Sequence, residues 1–153
     1  MPTFAYTPMT DLTHAAGVVA MMASLYREDQ PCAVIDPERF PVTVATLVGH
    51  PERGRILAIT DGPVLCGYAI LIPFWSNEFG GTVILVDEMY VASEYRGRGI
   101  GRAVLAGIEA ERPYEAMAVL LEVSAGNVRA RGLYESVGMK ERHYATLAKQ
   151  FGR

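Results

Sequence analysis

Cysteine is scarce in this chain. Cys32 and Cys66 lie far apart and neither has a CxxC partner, so neither a disulfide framework nor a zinc site is indicated. Charge is sparse as well. Charged residues make up 20% of the chain and the net charge is only −3, which argues against a nucleic-acid binder. Long apolar runs are also lacking. The longest near the N-terminus, Ala15 to Tyr26, is too short to span a bilayer, and no Lys or Arg precedes it, because Arg27 is the first basic residue. Neither a membrane span nor a secretory signal is expected, and the cytoplasm is the default location. Glycine (15) and proline (9) follow no collagen-like or low-complexity period.

What remains is the composition of a folded protein. Half of the 153 residues are apolar, enough to bury one core, and no repeat or linker divides them, so 1–153 is expected to form one domain. The small net charge hides an asymmetry. Residues 1–90 carry ten acidic side chains against four arginines, whereas residues 91–153 carry seven glutamates against ten Lys and Arg. Chance on solvated faces would produce such a split, and so would one half that meets a cation and another that meets an anion.

Hydrophobic spacing predicts a helix capped by Thr10 or Asp11, with Leu12, Ala15, Val18, Val19, Met22 and Leu25 on one face. A second helix is expected within Asp36–Gly49. Strand-like runs Ile56–Thr60 and Val64–Pro73 flank Asp61-Gly62-Pro63, a hairpin signal. A longer loop from Trp75 to Gly81 leads to a strand over Thr82–Val91. A helix over Arg102–Arg112 follows, then a buried strand over Ala118–Val123. A short helix over Val128–Ser136 ends at Gly138, and Tyr144–Lys149 is a last strand candidate. The order ααβββαβαβ implies an α/β protein with a mixed sheet and helices on it.

Arg96-Gly97-Arg98-Gly99-Ile100-Gly101 joins a strand to a helix. Glycines let the backbone approach a ligand, and the free N–H groups of a helix start favour an anion. Arg96, Arg98 and Arg102 add charge suited to phosphate. A Rossmann fingerprint needs a glycine where Arg102 stands, and a P-loop needs Gly-Lys-Ser/Thr, which is absent. Tight packing alone is the plain alternative.

Arg96-x-x-Gly99-x-Gly101 resembles the R/Q-x-x-G-x-G/A signature of the GNAT superfamily of N-acetyltransferases. A second block strengthens the likeness: Leu120-Leu121-Glu122-Val123-Ser124-Ala125-Gly126-Asn127, then Leu133-Tyr134-Glu135-Ser136-Val137-Gly138-Met139, with Met139 where Phe is usual. The specific resemblance covers about residues 83–142. It implies a central, mostly antiparallel sheet with helices on both faces, and acetyl-CoA as co-substrate without a metal. It further implies that the N–H groups of Gly97, Arg98, Gly99, Ile100, Gly101 and Arg102, with Arg96, hold the pyrophosphate. Met89 and Val91 would pair with the pantetheine arm, and Asn127 would bond the same arm.

The resemblance makes Tyr134 the general acid that protonates the departing thiolate. Asn127 and Tyr134 are two helical turns apart and so share a face; a core-packed ring with a wet hydroxyl is the alternative. For the base, Val86-Asp87-Glu88-Met89-Tyr90-Val91 is similar to the acidic strand of small-amine acetyltransferases and implicates Asp87. Glu122 competes, because its segment also resembles peptide N-terminal acetyltransferases. Adjacent on a strand, Asp87 and Glu88 are expected to face opposite ways. Trp75, in a loop similar to that of diamine acetyltransferases, together with Glu88 and Glu28, would bind a small cationic amine. A peptide or ribosomal-protein N-terminus is the second acceptor, and a non-catalytic acetyl-CoA sensor the reading from another class. Relatives with this architecture are often dimers, and a homodimer packed by the Trp75 loop is the alternative to that loop's role in amine binding.

Overall fold

The computed structural model describes residues 4–31 and 33–152, so Cys32 lies outside the described residues. Five strands form one sheet in chain order: β1 (Phe4–Pro8), β2 (Arg55–Asp61), β3 (Val64–Ser76), β4 (Gly81–Val91) and β5 (Ala118–Leu121). Neighbours from β1 to β4 pair antiparallel, and β4 pairs with β5 in parallel. The helices are α1 (Ala15–Glu28), α2 (Arg39–Gly49), α3 (Ile100–Glu111) and α4 (Val128–Ser136). Among the described residues, no helix is long and apolar enough to cross a membrane.

Strand alternation gives the sheet two buried faces. Ile56, Ala58, Tyr68 and Ile70 pack against Val18 and Met22 of α1 and Phe40, Val44 and Leu47 of α2. Leu57, Ile59, Ala69 and Leu71 face the other way, onto Ile100, Val104 and Ile108 of α3. Each of the Val, Leu, Ile, Phe and Met side chains among them contributes about 1.5–3 kcal/mol by leaving water. The mixed sheet with helices on both faces is therefore as expected.

Three expectations need correction. The order begins with β1, which the sequence reading did not anticipate. Tyr144–Lys149 forms no strand, and Tyr144 and Leu147 are exposed. Helix α1 starts at Ala15 rather than after an Asp11 cap, because Asp11 Oδ1 accepts from the Thr13 N–H at 2.8 Å and closes a local turn instead.

Two irregularities shape the site. The β3–β4 register slips so that Ile70 lies opposite Glu88 and Leu71 opposite Val86, which leaves Asp87 as the extra residue of a bulge. The β4–β5 pairing ends at Val86 and Leu121, while β4 continues to Val91. Past that point the two strands part and leave a notch.

Candidate functional site

At the end of β4 a 3-10 turn, Ser93–Tyr95, leads into the glycine segment and α3. Gly97 and Gly99 have φ of 77° and 80°, left-handed conformations that L side chains rarely adopt. A Cβ added at Gly99 would have nothing within 4 Å, so the space beside it is open to a ligand. No side chain caps α3, and its first N–H groups and positive dipole end are left for an anion.

This turn forms one wall of a cavity of about 700 Å³. The end of β4 (Met89, Tyr90, Val91), the first residues of α3, the β5–α4 loop, α4, and Leu25, Glu28 and Asp29 at the end of α1 complete it. Met89, Val91, Arg96, Gly97, Gly99, Ile100, Gly101, Arg102, Asn127 and Tyr134 therefore come together around one volume.

Their individual roles differ from expectation in several places. Arg98 is outside the lining; it donates to the Glu94 carbonyl at 2.9 Å and lies over the Tyr95 ring. Gly101 serves packing, because a Cβ there would meet Leu133 Cδ2 of α4 at 2.8 Å. Arg102 lines the cavity while donating to Ser136 Oγ at 2.7 Å. Asn127 caps α4, its Oδ1 accepting from the Ala130 N–H at 3.1 Å, so its amide NH2 is the part left for a ligand.

Tyr134 is half-buried two turns along α4. Burial, and secondarily the charge of Asp29, push its phenol pKa up. The group stays protonated at neutral pH, as a proton donor must.

Of the acidic candidates, Glu28 is bound to the turn: it accepts from Arg96 Nη2 at 2.7 Å and from the Tyr90 hydroxyl at 3.2 Å. Glu88 faces α1 and β3, where the hydroxyls of Tyr26 and Tyr68 donate to its two oxygens at 2.5 and 2.7 Å. Asp87 and Glu122 lie beyond the cavity lining, near the apex of the notch. Burial, and then the Glu122 charge, raise the pKa of Asp87. Glu122 is exposed and accepts from Thr146 Oγ1 at 3.1 Å.

Trp75 is elsewhere. Paired with Thr82, it sits seven positions before Met89, roughly 23 Å along the strand. It is 73% exposed, beside a shallow cleft with Phe74, Tyr114, Glu52 and Glu115.

The sequence reading missed Arg129 and Ser124 as wall residues. Arg129 Nη2 would be 3.7 Å from a Cβ on Gly97, so a further cation faces the turn. Its signal was available: it stands in the first turn of α4, two residues after Asn127. The whole arrangement can hold an anionic group at the turn, thread an arm along the open edge of β4, and deliver a proton from Tyr134.

The model of the acetyltransferase (GNAT) family matches residues 19–139. Among solved structures, a possible acetyltransferase from Clostridium difficile 630 superposes with a TM-score of 0.83 at 18% identity, over 98% of this chain and 99% of that one. A predicted acetyltransferase from Clostridium acetobutylicum, solved with acetyl-CoA, gives 0.76 at 13% identity over 95% and 96%. The ribosomal-protein-alanine N-acetyltransferase from Brucella melitensis biovar Abortus 2308 gives 0.71 at 19% identity over 97% and 100%. At these identities the likeness carries the fold alone.

Proposed function

The chain belongs to the acetyltransferase (GNAT) family and is an acyltransferase, and from that premise we propose that it moves an acetyl group from acetyl-CoA to a small cationic primary amine. The observation that carries this reading is the single cavity in which the glycine turn, the open edge of β4 and Tyr134 converge. The donor set suits a diphosphate: free N–H groups at the start of α3, an open face at Gly99, and Arg102 and Arg129.

Acetyl-CoA, when bound, supplies the acyl carbon and a thiolate leaving group. The chain does the rest. The turn at Gly97 and Gly99, the first N–H groups of α3 and the Arg102 side chain anchor the diphosphate end, and the β4 main chain at Met89–Val91 together with the Asn127 amide orients the arm. The Tyr134 hydroxyl gives its proton to the departing sulfur. Asp87, whose raised pKa brings it nearer to neutrality, takes the proton that the amine must lose.

A peptide N-terminus is the second acceptor, favoured by the carboxylate of Glu122 beside Asp87. A screen of amines and N-terminal peptides with acetyl-CoA, following free thiol, tests the reading. Thiol release with small polycationic amines supports it. Release with peptides alone moves the acceptor to the second reading. No CoA binding and no release with any acceptor would overturn the proposal.

A further inference from the structure

The end of α1 touches both sides of the notch. Glu28 bonds Arg96, which belongs to the glycine turn, while Asp29, the next residue, accepts from Ser124 Oγ at 2.9 Å, in the loop between β5 and α4. No main-chain ladder joins these two edges, because the β4–β5 pairing stops at Val86 and Leu121. Arg96 is held on more than one side: Nε donates to the Val91 carbonyl at 2.8 Å, Nη2 to Glu28, and the guanidinium lies 5.3 Å from the centre of the Tyr90 ring.

We propose that the Glu28–Arg96 pair and the Asp29–Ser124 bond form a clasp across the notch. Through it the end of α1 fixes the separation of the glycine turn and the β5–α4 loop, and Arg96 acts as a positioning residue rather than as a phosphate ligand. The inference rests on the donor site argued above.

Two arguments support it. The turn holds Gly97 and Gly99, whose freedom would otherwise be lost on binding, so side chains that pre-order it raise affinity. The Glu28 carboxylate also offsets the Arg96 charge where an anion would want it bare. That carboxylate is a liability for an anion site unless it holds the turn in place.

The sign of one substitution separates the alternatives. By Coulomb attraction alone, Glu28→Gln removes a negative charge beside the anion site and should tighten CoA binding. The clasp predicts the reverse. Calorimetric titration of the full chain with CoA at two salt concentrations provides the measurement, with melting temperature recorded for every variant.

Glu28→Gln and Arg96→Gln should each weaken CoA by about five- to twenty-fold, the scale of a lost coupling between sites. The double variant should be no worse than the weaker single variant, within about twofold, because both break one link. Arg96→Gln should leave the salt dependence of the dissociation constant as in wild type. Ser124→Ala, an uncharged change on the opposite edge, should also weaken CoA, and it keeps the test open where a Glu28 variant loses its fold.

Unchanged or tighter binding by Glu28→Gln, with Arg96→Gln weaker and less salt-sensitive, would make Arg96 a phosphate ligand and overturn the clasp while leaving the donor site intact. Failure of the wild type to bind CoA would instead overturn both.

Discussion

The Tyr68 hydroxyl donates to Glu88 Oε1 at 2.7 Å, while Tyr26 takes the other carboxylate oxygen. Both donors are neutral. Burial therefore raises the Glu88 pKa more than the two hydrogen bonds lower it, and the same carboxylate helps to push both tyrosines far up. A raised folded-state pKa means that this group's stabilising contribution is complete below the usual glutamate value and is lost as pH rises through the folded one. Glu88→Gln removes that dependence. From the usual glutamate range up toward neutral pH, the melting temperature of wild type relative to this variant should fall with rising pH. A difference that stays constant across that range would show that Glu88 is not desolvated as described.

Tyr134→Phe should leave CoA affinity and melting temperature near wild type and lower kcat by roughly 10²–10⁴-fold, the usual contribution of a general acid. The loss should shrink with an acyl donor whose thiol leaves more easily. Because the phenol pKa is raised, the alkaline limb of the wild-type profile should lie above the ordinary tyrosine range. Turnover equal to wild type in the phenylalanine variant would return Tyr134 to a packing role.

Gly99→Val and Gly101→Val should fail in different ways. At Gly99 the space is open and the backbone left-handed, costing a side chain about 1–2 kcal/mol; the dissociation constant for CoA should rise well over tenfold. At Gly101 the new side chain meets Leu133, so the loss should show first as a lower melting temperature from the α3–α4 contact. Equal CoA affinity in a folded Gly99 variant would remove the turn from the donor site.

The parts of this site that were legible in the sequence are those fixed by local chemistry. The glycine turn announced itself by residue type, and the pair Asn127 and Tyr134 by helical spacing; both line the same cavity. What stayed hidden depends on partners distant in sequence. β1 is a five-residue edge strand, and its pairing with β2 lies some fifty residues on. The bulge at Asp87 resets the strand phase, so that Val86 and Met89 pack on the α3 face while Glu88 faces the other, a pattern that simple alternation does not give. Trp75 precedes the acidic strand in sequence, but the hairpin carries it to the far end of β4. Glu28 was read by its charge alone, without Arg96 to receive it.

Asp87 and Glu122 give the last prediction, which concerns the base and the acceptor together. Burial raises the pKa of Asp87, and the neighbouring Glu122 charge adds to the rise. A base works only when deprotonated, and activity should therefore be lost on acidification at a pH above the ordinary aspartate range. Asp87→Asn should lower kcat by roughly 10²–10⁴-fold if it takes the amine proton. Glu122→Gln should keep the maximal rate and move the acid limb to lower pH, because it removes one cause of the shift. The acidic excess in residues 1–90 bears on the acceptor. Exposed charges are screened within about 10 Å at 0.1 M salt, so a diamine should lose kcat/KM with added salt more steeply than a monoamine of similar length. Identical salt responses for the two amines would remove the cationic-acceptor argument. Abolished turnover in Glu122→Gln with a nearly silent Asp87→Asn would transfer the base to Glu122, and with it the balance toward a peptide N-terminus.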